Sequence, residues 1–201
     1  IVMGHSIGEV AAAFVCHMYT LDECINLLFK LIESTQAGWM YHGSNLCSTP
    51  NVALASNNFL QNNENYVTVC GLQNDFENFK SQNNHFKKVH TTGAWHYPTN
   101  DATSLVEISS GSAKSYKFYS LTFGKFFDVL DDDYWKFWTT NCIDVIKHIK
   151  PLQNHSFNNI IEIGFHPVLK PMFQHVSYNC YIVTGNRNVE TESRKINNDF
   201  T

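Results

Sequence analysis

The hydrophobic and polar positions change period along the chain, from helical spacing to strand spacing and back. Residues 1–3 (Ile1, Val2, Met3) read as the end of a buried strand, 4–8 as a tight turn and 9–17 as a helix. Thr20 reads as a helix N-cap, with Glu23 three residues on completing a capping box. The helix that follows, about 21–36, carries Leu21, Cys24, Ile25, Leu28, Leu31 and Ile32 at helical spacing, which predicts that most of them are core. A strand at the first residue needs neighbours to pair with. The chain is therefore expected to be N-terminally truncated.

The middle has a different rhythm. Residues 51–56 and 66–70 read as short strands, 73–82 as a short helix and 86–91 as another strand. This β–β–α–β run suits a small inserted α+β subdomain, placed at 48–95. The Asn-rich stretches 57–64 and 82–84 read as loops. Further on, 116–122 reads as a strand, 141–149 as a helix, 159–163 as a buried strand, 167–176 as a short helix and 180–184 as a last strand. The polar tail, 186–201, reads as a linker.

Composition narrows the function. Hydrophobic residues make up 43% of 201 residues and aromatics 14%, enough for a packed globule. The net charge of −4 is interspersed, which gives no surface suited to nucleic acid or membrane. No apolar run approaches the roughly 18 residues of a membrane span. The six cysteines lack a C-x-x-C pair and suit reduced core thiols of a cytoplasmic protein. The ten histidines form no ligand-spaced cluster, so no metal is expected.

The sharpest local pattern is Gly4-His5-Ser6-Ile7-Gly8 between a strand and a helix. In G-x-S-x-G, glycine neighbours permit a sharp turn that thrusts the serine hydroxyl out at the strand end. The next backbone N–H, that of Ile7, points toward a developing oxyanion. A serine nucleophile needs a base. His5 sits on the turn itself and cannot readily fold back to Ser6. Among the remaining histidines His96 stands apart, on a loop after Gly93-Ala94-Trp95 and before Pro98.

Residues 4–13, G-H-S-I-G-E-V-A-A-A, resemble the acyltransferase domains of polyketide synthases and animal-type fatty acid synthases. Further segments match in the same order: V-A-L-A-S-N at 52–57, V-T-V-C-G at 67–71, T-G-A-W-H at 92–96, F-Y-S-L-T at 118–122, D-D-D-Y-W at 131–135 and I-E-I-G-F-H-P-V-L at 161–169. The resemblance spans residues 1–185. It implies an α/β fold, with a parallel-sheet, α/β-hydrolase-like core carrying the serine elbow and an inserted ferredoxin-like subdomain. It also implies acyl transfer from acyl-CoA, through an acyl ester on Ser6, to the phosphopantetheine thiol of an acyl carrier protein. His96 would be the base, the main-chain carbonyl of Trp138 its orienting group and Ile7 N–H an oxyanion donor. His5, Leu31, Trp95 and Tyr97 fall at pocket positions. No bound cofactor is implied, and the partners are carrier-protein and ketosynthase domains of the same synthase.

Two positions depart from that pattern. Leu31 stands where malonyl-selective members place a carboxylate-clamping arginine, and leucine cannot pair with a carboxylate. Three readings stand. The domain loads a monocarboxylic acyl group; Lys30 substitutes, although adjacent helical positions point about 100° apart; or the domain is degenerate and inactive. Tyr97 replaces a common serine and either narrows the pocket or adds a hydroxyl. Glu162 and His166 read as parts of a structural turn. The rival enzyme is a serine hydrolase such as a thioesterase, with Asp75 the acid preceding His96.

Overall fold

A computed structural model describes residues 1–91, 93–105, 111–164, 168–184 and 192–194. The chain divides into two compact units, 1–148 and 149–201. It is a mixed α/β protein. In order, the first unit holds β1 (Val2–Gly4), α1 (Gly8–Val15), α2 (Leu21–Ser34), β2 (Gly38–Ser44), β3 (Ala53–Gln61), β4 (Glu64–Leu72) and α3 (Phe76–Gln82). There follow β5 (Lys87–Lys88), β6 (Gly111–Ser112), β7 (Phe118–Ser120), β8 (Lys125–Phe127), β9 (Val129–Leu130), α4 (Asp132–Thr140), β10 (Ile143–Asp144) and α5 (Val145–His148). The second unit holds β11 (Ser156–Ile163), β12 (Ser177–Thr184) and β13 (Glu192–Arg194).

β1 pairs in parallel with β7, which pairs antiparallel with β8. Helices α1, α2 and α4 bury Val10, Ala13, Cys24, Leu27, Leu31, Trp135 and Trp138 in one apolar cluster with Phe118 of β7. The Thr20–Glu23 capping box forms as expected. The expected burial along α2 does not hold throughout. Leu21, Ile25 and Ile32 are exposed, as is Phe29, because the core contacts only the Cys24–Leu27–Leu31 side.

A second sheet has the order β10-β3-β4-β2-β5. The 57–64 stretch, expected to be a loop, instead extends β3 and begins β4. Only Asn62 and Asn63 turn, at φ 51° and 64°, the left-handed pair that a tight hairpin requires. Both faces of this sheet are buried, following the period of two. Trp39, Tyr41, Val67 and Val69 pack against Phe79 of α3, with Trp39 and Phe79 stacked at 4.6 Å. Met40, Ala55 and Cys70 face the other way, against Ala94 and Tyr97. The sheet takes in β2 and β10, outside residues 48–95. The strand expected at 86–91 pairs only at Lys87–Lys88.

Other boundaries move too. The helix expected at 141–149 is the short α5 preceded by β10, and the longer α4 lies just before it. In the second unit β11 pairs in parallel with β12, and β13 antiparallel with β12. The strand expected to be buried at 159–163 is largely exposed, with Ile161 and Ile163 open to solvent and only Glu162 covered. The helix expected at 167–176 is a 3-10 segment, Lys170–Phe173. His166 and most of 186–201 lie outside the described residues, although residues 192–194, within the stretch read as a linker, form a strand.

Candidate active site

The 4–8 turn joins the C-terminal end of β1 to α1. Ser6 has φ 52°, a left-handed angle uncommon outside glycine. Gly4 is required: a Cβ there would lie 2.0 Å from the carbonyl carbon of Gly8. Gly8 is not constrained in the same way, since a Cβ there meets nothing within 4 Å, which corrects the expectation that both glycines are sterically needed. The N–H of Ile7 takes part in no backbone hydrogen bond among the described residues. Ile7 itself is exposed.

The structure brings Ser6 and His96 together. Ser6 Oγ lies 2.7 Å from His96 Nε2, and His96 Nδ1 lies 2.7 Å from the carbonyl oxygen of Trp138. A carbonyl can only accept, so Nδ1 carries the proton. In the neutral ring Nε2 is then the acceptor, and Ser6 donates to it. His96 is buried, also with a left-handed φ of 58°. Burial lowers its pKa to about 4, opposed by the Trp138 carbonyl. The ring therefore holds no charge at neutral pH.

Three tethers hold the His96 loop. Ala94 N–H donates to Gln36 O at 2.9 Å, and residues 37 and 93 form an isolated bridge. Ala94 and Tyr97 pack on the five-stranded sheet. Buried Asn100 donates to Ala94 O at 2.9 Å and to Thr139 O at 3.1 Å, and accepts from Gln36 N–H at 3.0 Å. Asn100 thus binds the loop to the C-terminal end of α4, beside the carbonyl that orients the ring. Three distant segments meet at this residue, and no sequence spacing announces it.

The pocket candidates separate. His5 is half-buried beside Asn58 and its Nε2 is enclosed without a hydrogen-bond partner among the described residues. Burial lowers its pKa to about 4, with Asn58 opposing. Trp95 is half-buried, bonds Thr91 Oγ1 at 2.9 Å and packs edge-on to Trp138. Trp138 is fully buried, and its ring lies edge-on to His96 at 4.4 Å. Its side chain therefore matters to the site as well as its carbonyl. Leu31 is fully buried in the helical core and presents no surface to a ligand. Tyr97 turns into the sheet cluster and donates to Asn51 O at 3.2 Å. Asp75 accepts from Asn51 at 3.1 Å, and no carboxylate takes the Nδ1 proton of His96. Among the described residues no cluster of His, Cys, Asp and Glu is set to hold a metal, and no helix is long and apolar enough to cross a membrane.

The fold is that of acyltransferase domains of polyketide synthases and of malonyl-CoA:ACP transacylases. Two acyltransferase domains of the salinomycin polyketide synthase superpose on 92% of this chain at 20% identity. The domain of the second module does so with TM-score 0.70 and that of module 8 with 0.69. The Synechocystis sp. PCC 6803 malonyl-CoA:ACP transacylase superposes on 92% of this chain and 69% of its own, with TM-score 0.66 and 16% identity. This chain spans about half the length of the two salinomycin domains, 49% and 51%. No family model matches its sequence and no curated protein does.

Proposed function

We propose that this chain carries the nucleophile and base of an acyltransferase that moves an acyl group from acyl-CoA to the phosphopantetheine thiol of an acyl carrier protein. The observation that carries the reading is the continuous line from Ser6 Oγ through both nitrogens of His96 to the Trp138 carbonyl, 2.7 Å at each end. His96 Nε2 takes the hydroxyl proton as Ser6 Oγ adds to the thioester carbonyl. The imidazolium that forms keeps its Nδ1–H on the Trp138 carbonyl. Ile7 N–H faces the oxyanion. Collapse expels the coenzyme A thiolate, which takes the proton back from Nε2. The carrier thiol then repeats the sequence on the acyl ester and regenerates Ser6.

On this reading the sheet of β1, β7 and β8 belongs to an α/β-hydrolase-like core and the five-stranded sheet to a ferredoxin-like subdomain. Residues 1–185 belong to the acyltransferase domain of a cytoplasmic polyketide or fatty acid synthase, and 186–201 to a linker. Carrier-protein and ketosynthase domains are the partners. The acyl group is monocarboxylic. Leu31 is sealed in an apolar cluster. An unpaired carboxylate brought against leucine would cost several kcal/mol.

A hydrolase shares the elbow, and product analysis separates the two. Incubated with acetyl-CoA and pantetheine, the chain is expected to form acetyl-pantetheine in preference to acetate, and to leave malonyl-CoA unused. Release of free acid at the same rate with and without the thiol would establish a hydrolase instead.

A further inference from the structure

Glu9 is fully buried in the first turn of α1, three residues beyond Ser6, and no cation pairs with it among the described residues. Four donors satisfy its carboxylate. Oε1 accepts from Ser120 Oγ at 3.1 Å and Thr122 N–H at 3.0 Å; Oε2 accepts from Thr122 Oγ1 at 3.0 Å and Tyr134 OH at 2.6 Å. Ser120 ends β7, paired with β1 at Gly4, directly before the elbow. Tyr134 lies on α4, four residues and so about one helical turn before Trp138.

These links close a ring. It runs from Ser6 along α1 to Glu9, across to Tyr134, along α4 to Trp138, across to His96 and back to Ser6. Burying a carboxylate without a cation is costly, and a close-packed apolar side chain would hold α1 against α4 at least as stably. What the carboxylate adds is direction: the Tyr134 bond ties α4, and the three bonds from Ser120 and Thr122 tie the end of β7, to the helix that begins at the elbow.

We propose that Glu9 is a positioning residue that sets the distance between Ser6 and His96 by fixing α4, through Tyr134, to the helix that begins at the nucleophile. The inference rests on the reading of Ser6 and His96 as nucleophile and base. It identifies a role for the glutamate that directly follows the elbow.

Tyr134→Phe removes only the hydroxyl that joins the carboxylate to α4. Glu9→Gln keeps the shape but turns an amide NH2 toward two donors. Two readouts are taken on each variant of the 201-residue chain: the 15N resonances of the His96 ring, and the rate at which a serine-directed fluorophosphonate labels Ser6. In the unsubstituted chain His96 is expected as the single Nδ1–H tautomer. In Tyr134→Phe the tautomers mix and labelling slows about 10- to 100-fold, as expected for a displacement on the order of 1 Å, while the chain stays folded with a urea midpoint lowered only by the loss of one buried hydroxyl's bonds. Unchanged His96 resonances and labelling rate in a folded Tyr134→Phe would overturn the proposal. Loss of folding in both variants would overturn it as well, making Glu9 a residue of folding rather than of position. Absence of labelling in the unsubstituted chain would instead reject the nucleophile reading on which the proposal stands.

Discussion

Ser6 and His96 both hold left-handed backbone angles, at φ 52° and 58°, which cost on the order of 1–3 kcal/mol each. Surrounding contacts enforce those angles. At the elbow the constraint is the close approach of Gly4 to Gly8, so the two glycines respond differently to alanine. Gly4→Ala is expected to lose at least about 3 kcal/mol, because backbone at 2.0 Å must move. Gly8→Ala is expected to change stability by less than about 1 kcal/mol. Urea denaturation of both variants checks the pair, and equal losses would contradict the geometry. The pattern G-x-S-x-G was legible in the sequence, but the unequal demand on its glycines was not, since it depends on where α1 leaves the turn.

The half-buried His5 and the buried His96 also set a pH dependence. His5 and His96 have pKa values lowered from 6.5 to about 4, so folding favours their neutral forms. The stability this contributes is present above pH 6.5 and is lost as pH falls toward 4. Burial raises the pKa of Glu9, with its four donors opposing, and this acts in the reverse sense. Its contribution is present at low pH and is lost as pH rises through the raised value, so the net acid loss is less than the sum for the histidines. The urea midpoint is expected to fall between pH 7 and pH 4. A midpoint that is level or rises on acidification would show that the rings are not held neutral.

At the scale of elements, α4 carries the orienting carbonyl, and its start is fixed by Asp131, whose side chain accepts from Tyr134 N–H at 3.0 Å. Asp131→Ala is expected to cost about 1 kcal/mol and to slow acylation of Ser6 by loosening the helix that holds Trp138. Denaturation and acylation rate are measured together, and a full loss of stability with no change in rate would separate α4 from the site. The Thr20–Glu23 box was readable because a cap is local. The helix after Asp131 was harder to read, because Tyr134, Trp135, Phe137, Trp138, Thr139 and Thr140 are weak helix formers and only packing settles their state. β2 escaped for a related reason: its seven residues become a strand by pairing with β4 more than twenty residues away.

Across the whole molecule, α2 has one apolar side in the core and another in solvent. Leu21, Ile25, Phe29 and Ile32 follow one another along the exposed side, and Phe14 and Val15 of α1 are exposed as well. Such a stripe drives association. The chain by itself is expected to self-associate as its concentration rises, and Ile25→Ser with Phe29→Ser to reduce this. Sedimentation velocity checks it, and a monomer at all concentrations would contradict it. The helical period correctly identified α2 but could not tell its two apolar sides apart, because periodicity records spacing and not which neighbour is present.

Acylation of Ser6 with His96 as its base is read out by intact-mass spectrometry after incubation with acetyl-CoA. A single acetyl adduct is expected on the unsubstituted chain, absent from Ser6→Ala and strongly reduced in His96→Ala. A folded chain that gains no adduct, or an adduct that persists in Ser6→Ala, would contradict it.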